Sequence, residues 1–318
     1  MFSKHKLLLF AFSLQSAKFI PSQSGNKIID KLKFLSIIPV MKSFVFSTLI
    51  FIFIFSHSAN AQQIIWLKDY KEAVKIAKDG GKPIILDFTA SWCKPCRKMD
   101  SEFWTRADVI EISKDFVCVK VDYDNEKTLV DKYGVRAIPT VVMTDSWGLG
   151  LNFHRGFAAS AGKDIIEKLS FVPKNFSEIK DAGNLIETGK NNIAALSKIA
   201  EFYQQRKFYF QSNEFYSRLL KLENSPQQRE NLMLNIGFNN LRVGLTDDAK
   251  NIFDKFQKEF PKSPQLDMAI YGTLLVFERK NQFQDAQKMF DQLKTKFPKS
   301  SLIPQAEQIL PQSKSQNK

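Results

Sequence analysis

The chain has 318 residues, 44% hydrophobic and 25% charged, a globular composition long enough for about two domains and neither disordered nor collagen-like. Three Cys and three His are too few for a disulfide-stapled scaffold or a four-ligand structural zinc site. The net charge of +13 is not a nucleic-acid signature: residues 1–61 contribute +6, the other +7 is spread along the chain, and no nucleic-acid module is recognisable.

The leader comes first. From Met41 the chain reads MKSFVFSTLIFIFIFSHSANA, with Lys42 as a positive start, an apolar run over 44–55, and Ala59-Asn60-Ala61 as a small-residue cleavage signal. This pattern predicts a signal peptide over 41–61 cut after Ala61; the run is shorter than the roughly 20 apolar residues that a membrane span needs. Residues 1–40 match no targeting element, so Met41 is expected to be the true start. Export places any thiol in an oxidising compartment, where it is kept reduced by a partner or cycles.

The first folded unit is expected over 62–172. Apolar Ala73, Val74, Ile76 and Ala77 predict a helix over 64–80, stopped by Gly80-Gly81. A mostly apolar strand is expected over 84–88, and a helix starts at the following Cys-Lys-Pro-Cys. Further strands are expected over 116–121, 140–144 and, more weakly, 151–155, before a closing helix over 160–169. Strands alternating with helices point to an α/β sheet covered on both faces.

Cys93-Lys94-Pro95-Cys96 carries the chemistry. Two Cys three apart at a helix start close a small disulfide ring. Cys93, at the helix tip, meets free N–H groups and the positive end of the helix dipole, which favour a thiolate; Lys94 and Arg97 add charge. Cys96, one turn in, is expected to be more shielded and to hold its proton more tightly, so one sulfur attacks and the other resolves. Two other uses of CxxC compete. Half a zinc site lacks a second CxxC or HxxxH, and a static disulfide over so short a ring constrains the unfolded chain little. No cofactor or metal is called for.

The motifs together go further. Asp87-Phe88-x-Ala90-x-Trp92-Cys93-x-Pro95-Cys96, followed by Lys132-Tyr133-Gly134-Val135-Arg136-Ala137-Ile138-Pro139-Thr140, resembles the thioredoxin superfamily. The 99–104 stretch and Asp108-Val109 resemble the subgroup found in periplasmic thiol:disulfide interchange proteins. The resemblance implies the thioredoxin fold, with Pro139 as a cis-proline facing the disulfide and Ile138 before it, beside the backbone that pairs with a substrate chain. Trp92, Lys94 and Pro95 would border the substrate. Asp87, in an apolar strand, is desolvated and able to take a proton from Cys96; the resemblance implies that role and makes Lys120 its companion. Structural readings of both stand alongside: a strand-end acid and an exposed strand lysine. Thr89, Lys94 and Ser101 depart from the commonest family residues, and no His lies between the cysteines. The pair is therefore expected in the reducing half of the family's range of about −270 to −120 mV. Cys118 reads as a buried small hydrophobe and His154 as a surface residue of the weak strand.

After Pro173 the composition shifts to helical periodicity over 173–318. Asp248-Ala249-x-x-x-Phe253-Asp254 and Phe260-Pro261-Lys262-Ser263 recur 37 residues later as Asp285-Ala286-x-x-x-Phe290-Asp291 and Phe297-Pro298-Lys299-Ser300, with a fainter copy over 208–223. Paired helices with small residues at their contacts resemble tetratricopeptide repeats, an all-α array of hairpins that bury their apolar faces by stacking. Ser225-Pro226 and Ser263-Pro264 read as helix caps. The expected whole is an exported thiol–disulfide oxidoreductase acting on disulfide-containing client proteins, with a membrane electron donor; the repeats offer either a groove for a peptide or protein partner or a passive spacer or dimerisation arm. The alternatives are a repeat-containing adaptor or chaperone, and a disulfide isomerase.

Overall fold

The computed structural model describes residues 63–158, 160–189 and 191–314; the expected leader, 1–61, lies outside the described residues. Strand β1 (Trp66–Leu67), helix α1 (Tyr70–Gly80), β2 (Ile84–Thr89), α2 (Lys94–Glu102), α3 (Ala107–Ser113), β3 (Val117–Asp122), α4 (Lys127–Lys132), β4 (Thr140–Thr144), β5 (Gly150–Arg155) and α5 (Ala161–Phe171) follow one another. The sheet order is β1-β3-β2-β4-β5, with β1, β3 and β2 parallel and β4 and β5 antiparallel to their neighbours. This is the mixed, helix-flanked sheet expected from the alternating pattern.

Strand β2 is buried on both faces, and alternation sorts its side chains. Ile84, Leu86 and Phe88 join Ala73 and Ala77 of α1 and Leu129 and Val130 of α4 in one core cluster. Ile85 points the other way, into a cluster with Met99, Phe103, Trp104, Val109, Ile165 and Leu169. Asp87, two residues along from Ile85, shares that second face.

The helix expected from residue 64 starts later. Trp66 and Leu67 pair with Cys118 and Val119 as a short edge strand, and Asp69 caps α1 by accepting from the N–H groups of Lys71 at 2.7 Å and Glu72 at 3.1 Å. Within α1, Ile76 is 43% exposed, so Ala73 and Ala77 carry the buried face instead. Neither α3 nor α4 was marked by the sequence pattern: they have seven and six residues, and neither has a side-chain cap.

Among the described residues only helices follow: a 3₁₀ turn (Ser177–Ile179), then α6 (Lys180–Glu187), α7 (Ile193–Gln205), α8 (Tyr209–Leu222), α9 (Pro226–Arg242), α10 (Thr246–Glu259), α11 (Leu266–Arg279), α12 (Phe283–Lys296) and α13 (Ile303–Lys314). The repeated small residues sit at the contacts: Ser212, Ala249 and Ala286 are each fully buried. Phe253 lies in a notch made by two glycines, since a Cβ would fall 2.6 Å from its ring at Gly237 and 2.4 Å at Gly272. None of the described helices is long and apolar enough to cross a membrane.

The corner serines do not cap as expected. Ser225 precedes α9 as expected but makes no side-chain cap bond, and α11 starts after Gln265 rather than at Pro264. Ser263 Oγ accepts the Gln265 N–H at 3.0 Å and donates to Glu230 of α9 at 2.8 Å. Ser300, 37 residues on, donates likewise to Asp267 of α11 at 2.7 Å. Each corner thus ties one hairpin to the preceding one.

Packing is continuous across residues 172–173. The cluster that contains Met99 and Phe103 also contains Val172, Phe176, Ile179, Leu196, Tyr203 and Phe215, and the described residues form one compact unit. The joining bonds gather at one end of the sheet. Phe176 N–H donates to Gly81 O at 2.7 Å, Lys180 to Asp79 O at 3.0 Å, Gln211 to Gly150 O at 2.7 Å, and Tyr203 OH to Asp145 Oδ2 at 2.5 Å. Gly81 closes α1 in the left-handed region (φ 62°), where a Cβ would meet Ser177. These contacts cluster where β2 begins and β4 ends, while the cysteines follow the far end of β2, about 20 Å away at 3.3 Å per residue.

Candidate functional site

The chain leaves β2 at Thr89, turns through Ala90–Trp92 and enters α2 at Cys93. Cys93 is the N-cap: its N–H donates to Ala90 O at 3.1 Å, and its Sγ accepts the N–H of Cys96 at 3.2 Å. Pro95 fits within the first turn, where no intrahelical N–H bond is lost. Cys93 and Cys96 are joined as a disulfide, with Cα atoms 5.3 Å apart. The expected difference in shielding is absent in this form, because both residues are 2% exposed. Among the described residues no group of three His, Cys, Asp or Glu could hold a metal ion.

The surroundings match the order of the motifs. Ala90 clusters with the two cysteines, and the half-buried Tyr123 and Ile138 pack against that cluster. The Ile138–Pro139 peptide bond is cis, and β4 starts at the next residue. Trp92 is 62% exposed, with its indole N–H donating to Asp124 at 2.7 Å, and Lys94 and Pro95 are exposed beside it. The rim of the disulfide therefore presents an aromatic plate, a cation and the approach to β4.

On β2, the strand that leads into the cysteine turn, Asp87 is 2% exposed and sits opposite Lys120 in the β2–β3 register. Lys120 Nζ donates to Asp87 Oδ2 at 2.5 Å and also pairs with Asp100 of α2. Lys120 is thus no exposed strand lysine; its ammonium lies over the Trp66 ring, 4.5 Å from the centroid. Trp104 Nε1 donates to the same Asp87 Oδ2 at 2.9 Å. Burial pushes the Asp87 carboxyl above the ordinary range, with Lys120 pulling part of the way back. Burial opposes the Lys120 charge, but the Asp87 and Asp100 carboxylates outweigh it and hold that pKa above the usual value. Sequence reasoning missed Asp100, Trp66 and Trp104 as parts of the site. Asp100 lies four residues after Cys96, a spacing that puts both on one helix face and was the available signal.

The raised Asp87 pKa has a consequence for stability. A carboxyl that binds its proton more tightly when folded than at its unfolded value of 3.8 favours the folded state below that pH and progressively less above it. Asp87→Asn should therefore raise the Tm of the oxidised protein at pH 7 by a few degrees, with the gap closing towards pH 4. Lys120 keeps Asp100 as a partner. Thermal melts across that range check this, and a wild-type advantage at pH 7 would contradict it.

Two other residues resolve plainly. Cys118 is buried on β3, and burial pushes its thiol up to about 12, so it is inert at neutral pH as expected. His154 is not a surface residue: its side chain is 12% exposed and its Nδ1 meets Asp164 of α5 at 2.5 Å. The β5 strand turns it inward because the directly paired residue, Val141, faces the same core.

A thioredoxin-like family model matches residues 65–146, which contain all of these groups except Asp164 and His154. Thioredoxin-1 of Drosophila melanogaster is 36% identical over 98 residues, covering 31% of this chain and 81% of the fly protein. The chain belongs to the thioredoxin family. Thioredoxin H3 of Arabidopsis thaliana is 38% identical over 76 residues, 24% of this chain and 62% of the plant protein, so the chain spans less than two thirds of that relative. "Probable protein disulfide-isomerase A6" of Medicago sativa is 23% identical over 198 residues, 59% of this chain and 51% of that protein. Downstream of the thioredoxin domain, a tetratricopeptide-repeat model matches 232–263 and 275–300, the segments in which the 37-residue repeat was read.

Proposed function

We propose that the protein is an exported thiol–disulfide oxidoreductase that reduces or exchanges disulfides of client proteins. The observation that carries this reading is a disulfide-linked Cys93–Cys96 pair at a helix tip, with a buried Asp87 on the strand that leads into it. In the reduced protein the Cys93 thiolate attacks a client disulfide, forming a mixed disulfide and expelling one client thiolate. Asp87 accepts the proton of Cys96, whose sulfur then attacks Cys93 Sγ and expels the second client thiolate. Two electrons pass from the dithiol to the client, and sulfur carries them without a cofactor. Ile138 and Pro139 border the strand-like position of the client chain, and Trp92, Lys94 and Pro95 form the rim.

Export is supported by the pattern over 41–61 and asks for an upstream reductant, in this reading a membrane dithiol donor. N-terminal sequencing of secreted protein tests it, with Gln62 as the expected first residue. The repeats, joined to the sheet end opposite the cysteines, leave the rim at Trp92, Lys94 and Pro95 exposed and supply a surface for a protein or peptide partner. The central test is reduction of insulin by the reduced full chain. Wild type should turn over with a dithiol reductant, and Cys93→Ser should lose activity to background; retained activity would refute the mechanism.

A further inference from the structure

Asp87 has two carboxylate oxygens, and the structure treats them unequally. Both of its donors, Trp104 Nε1 at 2.9 Å and Lys120 Nζ at 2.5 Å, land on Oδ2. Oδ1 is buried and has no hydrogen-bond partner among the described residues. A buried acceptor left unpaired costs free energy, so this one calls for an explanation. In the disulfide neither sulfur carries a proton, so a thiol donor from Cys96 exists only after reduction.

We propose, resting on the oxidoreductase reading above, that Trp104 is a positioning residue for the resolving half of the exchange. By tying down Oδ2 together with Lys120, it reserves Oδ1 as the atom that takes the Cys96 proton. Rotation about the Cβ–Cγ bond would exchange the two oxygens; a donor from the helical layer and another from β3 oppose it. Trp104 is itself rigidly placed. It is 4% exposed, its backbone N–H donates to Met99 O at 3.2 Å, and its ring meets Trp66 edge-on at 5.0 Å and Phe103 at 4.8 Å. Trp66 in turn carries the Lys120 ammonium on its face, so the two donors to Oδ2 are braced through one aromatic contact.

The charged and titratable groups around Asp87 are Lys120 and Cys118 from β3 and Asp100 from α2, with the Cys96 thiol added on reduction. Trp104 contributes an N–H that favours the ionised carboxylate. Its loss moves the pH at which the base becomes available upward.

The experiment follows thiolate release from a chromogenic aromatic disulfide mixed with the reduced full chain. Attack by Cys93 releases the first aromatic thiolate and resolution by Cys96 releases the second. Trp104→Phe should leave the first release unchanged and slow the second about tenfold, the loss expected of one hydrogen bond to a charged group. The midpoint of its pH profile should move to higher pH. In an Asp87→Asn background Trp104→Phe should add nothing, because the tryptophan acts only through that carboxylate. Equal slowing of both releases, or additive slowing in the double variant, would overturn the proposal. Should the variant fold poorly, the indole N–H resonance of Trp104 in reduced wild type decides. It should titrate with the midpoint of the second release, and its failure to do so is equally fatal. Absence of a second release from wild type would instead remove the oxidoreductase reading itself.

Discussion

Replacing Cys96 by alanine should convert the protein from a turnover catalyst into a trap. With the resolving sulfur gone, the Cys93 thiolate still attacks a client disulfide, but nothing inside the protein can expel the second client thiolate. The mixed disulfide then persists until an external thiol cleaves it. The N-cap position of Cys93 survives the change, because the N–H of residue 96 that points at its sulfur is backbone. Non-reducing gels of protein recovered from its native compartment should show a ladder of high-mass adducts that collapses on reduction. Cys93→Ser and the double variant should show none. An adaptor that merely docks clients would form no adduct with either single variant. An isomerase would form the same adducts but should keep scrambled-substrate activity in Cys96→Ala, since isomerisation needs only the attacking sulfur.

The second large effect is on stability. Phe253 is fully buried between α9 and α11, and its ring occupies the space that Gly237 and Gly272 leave open. Phe253→Ala should cost about 3–5 kcal/mol, because facing glycines offer no side chain that can collapse into the cavity. Gly272→Ala acts in the opposite sense. Its Cβ would stand 2.4 Å from the ring, an overpacking worth about 1–3 kcal/mol that outweighs the roughly 1 kcal/mol gained in helix propensity. Phe253→Leu combined with Gly272→Ala should be more stable than the sum of the two single changes predicts. Urea unfolding of the four proteins measures the coupling, and strict additivity would show that the ring and the glycine do not share the site.

The chemistry was more legible than its support. CxxC after an apolar strand is a local pattern, and a local pattern survives reading in one dimension. So did Asp87, because a lone acid in an otherwise apolar run is conspicuous. Asp100, Trp66 and Trp104 carried no such mark: an exposed-looking acid and two aromatics on separate segments become a site only when β1, α2 and the turn after it converge on Lys120. His154 was misplaced for a related reason. An edge strand has one solvent face and one core face, and only the register with Val141 says which way an alternating residue points.

The helical half divides in the same way. The 37-residue recurrence marked Ala249, Phe253 and their later counterparts as contact positions, since periodic burial leaves a periodic trace in composition. It did not show that Ser263 reaches Glu230 and Ser300 reaches Asp267, because each bond joins consecutive hairpins whose stacking has no local signal. Helix starts near Ile64 and Pro264 also moved, drawn respectively into an edge strand and into a serine-held corner.

What the amino-acid order determined alone was the set of elements that short-range physics controls: two sulfurs one helical turn apart, alternating strands, and hairpins repeating in register. Tertiary structure decided which polar groups lose their water together. That depends on segments far apart in the chain sharing one buried volume, and it left Asp87 with two donors on one oxygen and none on the other.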